Sequence, residues 1–167
     1  MKIKHILQEK APGVETINPG RTIHDAIGKL NEHCIGALVV TEEDDTVVGI
    51  ITERDILRKC GDLCSHLSGK PTAGKTGCSA LVQDSMTRDL IIGVPDDDPN
   101  YVMGVMTKNR IRHLPILDDG HLTGIISIGD LVSAHLEEKV FENRTLKDYI
   151  HGKVRKRASS DSDDSLI

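Results

Sequence analysis

The chain has 167 residues, of which 38% are hydrophobic and 28% charged, and its formal net charge is −5. These values suit one ordinary globular domain, or two small repeats that share a core. The negative charge argues against a broad nucleic-acid-binding face, and an aromatic content of 2% argues against recognition of bases by stacking. No stretch approaches the roughly 18 apolar residues that a membrane helix requires. We therefore expect no nucleic-acid partner, no membrane and a cytoplasmic location.

The first half of the chain predicts short strands that alternate with helices. A strand over residues 15–17 leads to Thr22, which is placed to cap a helix. Asp25, three residues later, completes a capping box, and the apolar residues that follow recur at helical spacing. The remaining elements predicted in this half are strands over 37–40 and 47–51, joined by an acidic turn, and a helix over 54–59.

A polar, glycine-rich segment over residues 63–81 is predicted to be a linker. Its stretch "GKPTAGKTG" has the spacing of a phosphate-binding P-loop, from Gly69 to Thr76. A P-loop requires a buried strand before it and a helix directly after it. Here the preceding residues are polar, and Gly77 interrupts what would be the first helical turn. The composition favours a flexible linker, with a P-loop nucleotide hydrolase as the alternative.

Most of the cysteines lie in or beside this linker. Cys60, Cys64 and Cys78, together with His66, are four soft groups that a zinc ion could use. Their spacing is not the tight Cys-x-x-Cys pattern, and the sequence has no second pair of ligands to complete such a site. We therefore predict no metal site. A redox- or metal-linked module that uses these thiols remains an alternative. Cys34 is interpreted as a small packed residue at the end of a helix.

The second half of the chain repeats the first at an offset of 75 residues. The stretch "TVVGIITERDIL" is echoed by "HLTGIISIGDLV", which aligns Gly49 with Gly124, Thr52 with Ser127 and Asp55 with Asp130. The elements predicted here are a strand over 90–94, a helix capped by Asp98 with Pro99 in its first turn, strands over 113–117 and 122–126, and a helix over 129–138.

These patterns divide the chain into four parts. The tail changes from basic to acidic and serine-rich, a composition typical of disorder. The predicted parts are a first repeat with the N-terminal segment (1–62), the linker (63–81), a second repeat (82–150) and a disordered tail (151–167).

Each repeat contains a glycine, two aliphatic residues and a hydroxyl, followed three residues later by a carboxylate. Alone, this arrangement is a helix cap. At an abrupt strand-to-helix junction, however, free amides, the helix dipole and the hydroxyl also suit a phosphate. The carboxylate can accept hydrogen bonds from the two hydroxyls of a ribose, and Ile50 or Ile125 would wall the base. These residue types suit a 5′-nucleotide and include no catalytic residue, so we predict no enzymatic activity.

Two such units, each with "GII-[TS]-x-x-D" and the second with "RHLPI", closely resemble a pair of CBS domains, also called a Bateman module. The resemblance runs from Met1 to about Ile150. It implies an α/β fold in which two β-α-β-β-α repeats pack about a pseudo-twofold axis, and a disc-shaped homodimer. It also implies a standalone regulatory sensor that binds AMP, ADP, ATP, NAD(H) or S-adenosylmethionine and transmits this occupancy to an unknown partner. A protein-interaction module with unused clefts is the alternative.

The resemblance also implies roles for individual residues. Thr52 and Ser127 match the hydroxyls on the phosphate side, and Asp55 and Asp130 match the ribose-binding acids. Residues that match segments in contact with adenine are Ile17, Ile35, Gly36, Ala37, Ile92, His113, Leu114 and Pro115.

The two repeats differ in their basic residues. Arg54 follows the first hydroxyl, where the second repeat has Gly129. Conversely, Arg112 and His113 match positions that often carry basic groups near phosphate, whereas the first repeat has Gly36 and Ala37 there. The sequence therefore predicts two clefts with different affinities.

Overall fold

The computed structural model describes residues 1–10, 13–65 and 79–150, with side chains up to residue 60 in the second range and residue 147 in the third. These residues form helices and two small sheets, which confirms the α/β class. The helices are α1 (Ile3–Glu9), α2 (Ile23–Glu32), α3 (Glu53–Ser65), α4 (Pro99–Asn109) and α5 (Ile128–Ile150). The strands are β1 (Thr16–Ile17), β2 (Ala37–Thr41), β3 (Val47–Thr52), β4 (His113–Asp118) and β5 (His121–Ser127).

The chain divides into two compact units, Met1–Leu131 and Val132–Ile167. The first unit contains all the strands and helices α1 to α4, and the fold and the site described below lie within it. Of the second unit, the structure describes the part of α5 that ends at Ile150.

The first sheet has the order β1-β2-β3. Strand β1 runs parallel to β2, and β2 runs antiparallel to β3, with Val39 opposite Ile50. Every residue of β2 is buried, as expected for a central strand that is covered on both faces. The apolar side of α2 packs with this sheet in one core cluster, which includes Ile23, Leu38 and Ile51.

The predicted start of α2 is confirmed, but the interpretation of Cys34 as a packed residue at the end of this helix is wrong. The Thr22 hydroxyl accepts a hydrogen bond from the Asp25 amide at 3.1 Å, and the Asp25 carboxylate accepts one from the Thr22 amide at 3.0 Å. Beyond the helix, Cys34 has a left-handed backbone (φ 52°) and is exposed. Because its side chain is exposed, Cys34 is not a packed residue.

Residues at the start of the predicted second repeat complete the core of the first repeat. Val82 and Met86 belong to the same core cluster as α2 and β2, and Thr87 forms a two-bond bridge with Ile50 of β3. This approach requires a glycine at position 49, because a Cβ there would lie 2.8 Å from the Met86 sulfur and 3.0 Å from the Thr87 carbonyl oxygen.

The second sheet pairs β4 and β5 antiparallel, with Pro115 opposite Ile125. The strand predicted over 90–94 is reduced to one parallel bridge between Gly93 and Ile116, so that prediction is wrong in extent. The bridge needs a glycine, because a Cβ at residue 93 would lie 2.9 Å from Ile116 Cδ1. Directly after it, the Val94 amide donates to the Asp97 carboxylate at 2.9 Å instead of extending the sheet. Asp98 caps α4 as predicted.

The N-terminal helix packs against the second repeat, although the sequence grouped it with the first. The Ile3 and Lys4 amides donate to carbonyl oxygens of Asp97 and Pro95, at 3.1 and 2.8 Å. Leu7 of α1 lies so close to β5 that a Cβ at Gly124 would be 2.5 Å from Leu7 Cδ2. The first repeat is therefore covered by residues 82–87 from the start of the second, and the second repeat is covered by α1 from the start of the first.

Two helices are longer than the sequence predicted. Helix α3 continues to Ser65 instead of ending at Lys59, and α5 continues to Ile150 instead of Glu138. Amphipathic spacing continues past both predicted ends, and no proline intervenes. The P-loop-like stretch, His66, Cys78 and the predicted disordered tail lie outside the described residues, as does the Cys64 side chain.

Candidate functional site

The first hydroxyl–carboxylate motif lies where β3 ends and α3 begins. One oxygen of Asp55, Oδ2, accepts hydrogen bonds from the Thr52 amide at 2.9 Å and from the Thr52 hydroxyl at 2.6 Å. The Asp55 amide donates back to Thr52 Oγ1 at 3.4 Å. The motif is therefore a helix cap, as its local pattern predicted. The other carboxylate oxygen of Asp55, Oδ1, has no hydrogen bond to the described residues.

The second motif, at the junction of β5 and α5, has the same internal geometry. Asp130 Oδ2 accepts from the Ser127 amide at 2.7 Å and from the Ser127 hydroxyl at 2.8 Å. The Asp130 amide donates to Ser127 Oγ at 3.2 Å. The repeat seen in the sequence thus extends to the hydrogen bonds of the two motifs.

One contact distinguishes the second motif from the first. Lys10, which follows α1, donates from Nζ to Asp130 Oδ2 at 2.7 Å and to the Ile125 carbonyl oxygen at 2.9 Å. Partial burial of the carboxyl raises the pKa of Asp130, but the Lys10 ammonium and the Ser127 hydrogen bonds outweigh it and hold the pKa below its ordinary value of 3.8. Among the described residues, Asp55 forms no ion pair.

A cavity of about 500 Å³ lies at the first motif. Its volume falls within the roughly 300–1,000 Å³ typical of small-molecule sites. Both repeats line it: Gly36, Ile50, Thr52, Glu53, Arg54, Asp55 and Arg58 come from the first, and Asn109, Arg110, Ile111, Arg112 and His113 from the second, with Thr87 between them.

The cavity is richer in cations than the protein as a whole. Its lining includes four arginines and two carboxylates, Glu53 and Asp55, although the chain carries a net charge of −5. The arginines also connect the repeats, because Arg54 Nη1 donates to the Arg110 carbonyl oxygen at 3.1 Å. Such a concentration of guanidinium groups favours an anionic ligand, and phosphate above all, because of its bidentate acceptor geometry.

His113 lies on the second-repeat side of this cavity and faces the first repeat at Gly36. A Cβ at Gly36 would lie 3.1 Å from His113 Cε1 and 3.5 Å from a Glu53 carboxylate oxygen. Burial of the imidazole is the largest influence on His113 and lowers its pKa below 6.5. The carboxylates of Glu53 and Asp130 act in the opposite direction, and Lys10 and Arg112 partly offset them. His113 is therefore a neutral hydrogen-bonding group at pH 7.

A family model for the CBS domain matches residues 4–62 and 81–137, which together cover more than half of the chain. The chain belongs to the CBS domain family. The two matches make it a tandem CBS pair, as its repeated motif indicated. Within the pair, the cavity described above is lined by residues from both CBS repeats.

Known CBS proteins resemble the chain in sequence and in structure. It is 38% identical over 135 residues to the CBS domain-containing protein CBSX3, mitochondrial, of Arabidopsis thaliana, with 78% of this chain and 61% of that protein covered. The crystal structure of the CBS-domain containing protein ATU1752 from Agrobacterium tumefaciens has a TM-score of 0.71 at 35% identity, with 80% of this chain and 92% of that chain covered. The CBS domain pair of protein MJ0100 was solved with 5′-methylthioadenosine and S-adenosyl-L-methionine. It has a TM-score of 0.66 at 26% identity, with 83% of this chain and 98% of that chain covered.

The CBS structure brings together only part of the predicted site. Seven predicted residues line the cavity: Gly36, Ile50, Thr52, Arg54, Asp55, Arg112 and His113. The cavity lining does not include Ile17, Ile35, Ala37, Ile92, Leu114, Pro115, Ile125, Ser127 or Asp130. Burial explains several of these, since Leu114 is 1% exposed and Ala37 5%. Ile17 instead borders a separate cavity of about 680 Å³ beside α2, and Ile92 is 49% exposed.

Sequence reasoning missed six residues of the cavity lining. These are Glu53, Arg58, Thr87, Asn109, Arg110 and Ile111. For one of them a signal was present, since Arg58 follows Arg54 by four residues and so shares its face of α3. The segment 109–111 gave no such signal, because it reaches the cavity through a left-handed turn at Arg110 (φ 56°).

The described part of the chain contains neither a cluster of metal-binding side chains nor a membrane-spanning helix. In the regions 1–10, 13–60 and 79–147, no three His, Cys, Asp or Glu side chains are grouped closely enough to hold a metal ion. Nor does the described part of the chain contain a helix with the length and apolar character needed to cross a bilayer.

Proposed function

We propose that this CBS pair is a non-catalytic regulatory module that binds an adenine nucleotide in the cavity at Thr52 and Asp55. The observation that carries the proposal is the composition of that cavity. It combines a hydroxyl–carboxylate motif at a helix start with four arginines drawn from both repeats. The lining therefore combines groups that suit a ribose with groups that suit phosphate.

The charge and the backbone geometry of the cavity indicate which of its groups would bind phosphate. Arg54 and Arg58 lie on the first two turns of α3, and Arg110 and Arg112 approach from the other repeat. Hydrogen bonds between guanidinium groups and phosphate are charge-assisted and contribute about 1.5–3 kcal/mol each when well formed. The start of α3 adds its helix dipole and the Thr52 hydroxyl. We therefore expect phosphorylated ligands to bind more tightly than the free nucleoside.

The remaining residues of the cavity lining suit the ribose and the base of a nucleotide. Asp55 leaves one carboxylate oxygen without a bond to the described residues, so it can accept hydrogen bonds from the ribose hydroxyls. Ile50 supplies an apolar wall for the base. An adenine ligand is supported by the related CBS pair of MJ0100, which is 26% identical and was solved with two adenosine-containing ligands. AMP, ADP, ATP and NAD(H) are the candidates proposed here.

Regulation requires that ligand occupancy change the protein's shape or stability. Because both repeats line the cavity, a bound nucleotide would contact both at once and stabilise the arrangement that closes on it. A ligand shifts a conformational equilibrium only if it binds one state better. We propose that the state favoured by the nucleotide is the one that a regulated protein recognises.

We also propose that the module is a homodimer. The part of α5 in the second unit exposes several large apolar side chains: Leu136, Val140, Phe141 and Leu146 are 59%, 63%, 72% and 59% exposed. An exposed apolar surface of this kind is typical of an interface. Light scattering of the purified chain should give twice its mass, and Phe141→Glu should give the mass of the monomer; a monomeric wild-type chain would contradict the proposal.

The nucleotide proposal is tested by calorimetry on the wild type and a matched pair of variants. AMP, ADP, ATP, NAD, NADH and S-adenosylmethionine are titrated, with GTP as the base control. Asp55→Asn should weaken the preferred ligand at least about tenfold, since a charged acceptor is lost. Asp25→Asn is the control, because the Thr22–Asp25 pair forms the same cap outside this cavity. Equal affinity in wild type and Asp55→Asn would refute the assignment of the site.

A further inference from the structure

The two motifs differ in what reaches them from outside their own repeat. In the first repeat, the Ile50 carbonyl oxygen accepts from the backbone amide of Thr87 at 2.9 Å. In the second repeat, the corresponding carbonyl of Ile125 accepts instead from the Lys10 ammonium, at 2.9 Å. The same ammonium lies 2.7 Å from the ribose-type carboxylate of Asp130. Lys10 thus occupies the space that joins the base wall to the carboxylate.

The first repeat has no equivalent of this lysine. Leu7 contacts Gly124 as Met86 contacts Gly49, so the segments that carry them are structurally matched. Three residues beyond Leu7 is Lys10, and three residues beyond Met86 is Asp89. An aspartate cannot pair with the Asp55 carboxylate, and Asp89 is exposed. The two motifs are therefore alike, and the difference between them comes from the residues of the segments that cover them.

The position of Lys10 matters because its ammonium lies against the carboxylate that a ribose would use and also against the base wall at Ile125. Asp130 Oδ2 accepts from the Ser127 amide, the Ser127 hydroxyl and Lys10 Nζ. Asp130 Oδ1 has no hydrogen bond to the described residues, as in Asp55, but the ammonium neutralises the charge that would strengthen its hydrogen bonds to a diol. The Lys10 and Asp130 side chains are 34% and 23% exposed, so this pair is partly shielded from water.

Building on the proposed function, we propose that Lys10 closes the second motif, so that a ribose-containing ligand binds at Asp130 only by displacing the ammonium group. The first motif then fills first, and the N-terminal segment sets the order of binding. The apparent affinity at a closed site is reduced by the fraction of time for which it is open. If Lys10 leaves Asp130 about a tenth of the time, the affinity there falls about tenfold.

The test isolates the second motif by disabling the first. AMP is titrated calorimetrically into full-length Asp55→Asn, with and without Lys10→Met, which keeps an apolar stem and removes the charge. The double variant should bind AMP at least about tenfold more tightly than Asp55→Asn alone. Adding Asp130→Asn to the double variant should abolish that gain. Lys10→Arg, which can keep the ion pair, should leave the second motif closed.

Lys29→Met is the matched control. Lys29 also bridges a backbone carbonyl and a carboxylate, at 2.9 Å from the Thr16 oxygen and 3.4 Å from Glu15, but it lies beside the other cavity. It should leave AMP binding unchanged. Circular dichroism and thermal unfolding check that each variant is folded, with Lys10→Gln as a second neutral replacement.

Each outcome separates this inference from the proposed function. If Asp55→Asn weakens AMP but Lys10→Met adds nothing, the site proposal stands and the closing role of Lys10 is wrong. If Lys10→Met weakens AMP further, Lys10 is a ligand contact, which also overturns the closing role. If AMP binds neither the wild type nor any Lys10 variant, the proposed nucleotide function itself fails.

Discussion

The two CBS repeats carry the same motif with nearly the same hydrogen bonds, yet their surroundings differ. The carboxylate of Asp55 borders a cavity of about 500 Å³ lined by four arginines, whereas the carboxylate of Asp130 is bonded to Lys10. Both carboxylates cap a helix in the same way. The repeated motif therefore has the same local geometry in both repeats, while residues distant in sequence make the surroundings of the two carboxylates different.

The difference arises from the segments that cover each repeat. The first repeat is covered by residues 82–87 and the second by α1 (Ile3–Glu9), and each segment approaches a glycine of the last strand. The covering segments share no sequence pattern comparable to the motifs.

The largest expected effect comes from neutralising the two carboxylates separately. Asp55→Asn should weaken AMP binding by about 10- to 100-fold, because a charge-assisted hydrogen bond contributes about 1.5–3 kcal/mol. Asp130→Asn should change the affinity less than about threefold, since Lys10 already occupies that carboxylate. Calorimetry on both variants measures the contrast.

Both substitutions remove a charge from the same kind of cap, but Asp130→Asn also breaks the ion pair with Lys10. Thermal unfolding without ligand should therefore show a loss of stability at least as large for Asp130→Asn as for Asp55→Asn, so that a smaller effect of Asp130→Asn on AMP binding does not reflect a better-folded variant. The comparison between the repeats would be reversed if Asp130→Asn proved the more damaging to AMP binding.

The next effect concerns the glycines at which the covering segments approach. Gly49→Ala should cost about 2 kcal/mol, within the range for overpacking, because the new Cβ would lie 3.0 Å from the Thr87 backbone oxygen. Gly124→Ala should cost less, about 1 kcal/mol, because the atoms that it meets belong to the Leu7 side chain, which can rotate. Urea denaturation of the two variants gives the free energies of unfolding.

Gly104→Ala is the control, since nothing lies within 4 Å of a Cβ there and the position is in a helix. Alanine should be neutral or slightly stabilising at that site. Equal losses of unfolding free energy in Gly49→Ala and Gly124→Ala would show that the backbone at Thr87 can move aside as easily as the Leu7 side chain.

The sequence predicted what depends on near neighbours. Thr52–Asp55, Ser127–Asp130 and the cap at Asp98 each join residues two or three apart, so their spacing alone specifies the contacts. Strand order within each hairpin follows from the acidic turns in the same way. The repeat then identified the family, because two copies of one local pattern are far more specific than one.

What the sequence could not predict depends on residues far apart. Lys10 and Asp130 are separated by 120 positions, and their contact depends on how α1 packs on β5. Arg54 and Arg110 meet across 56 positions. The missing strand near Gly93 has a similar cause, because the close approach of Ile116 permits one bridge and a local bond from Val94 ends it.

A smaller effect is expected from the basic residue that only the second repeat supplies. Arg112→Gln should weaken AMP about fivefold and leave adenosine unchanged, since an exposed charge contributes up to about 1 kcal/mol. Arg88→Gln is the control, because Arg88 is exposed but bonded to the Gln83 carbonyl oxygen outside the cavity. Competition titrations with AMP and adenosine separate phosphate from nucleoside binding. A parallel loss for adenosine would mean that Arg112 supports the fold of the cleft instead.

The smallest effect is the acid dependence of the Lys10–Asp130 pair. The pKa of Asp130 lies below 3.8 in the folded chain, so the pair stabilises the protein above that pH and its contribution is lost as the pH falls through the folded pKa. Lys10→Met should raise the pKa of Asp130, because the ammonium no longer favours the charged form. The difference in free energy of unfolding between wild type and Lys10→Met should therefore be present at pH 7 and vanish in strong acid. Carboxyl NMR titration of Asp130 and urea denaturation across this range measure both quantities. A difference that persists at the lowest pH would mean that Lys10 stabilises the chain through its packing and not through the charge of Asp130, and the contrast between the two motifs would then rest on shape alone.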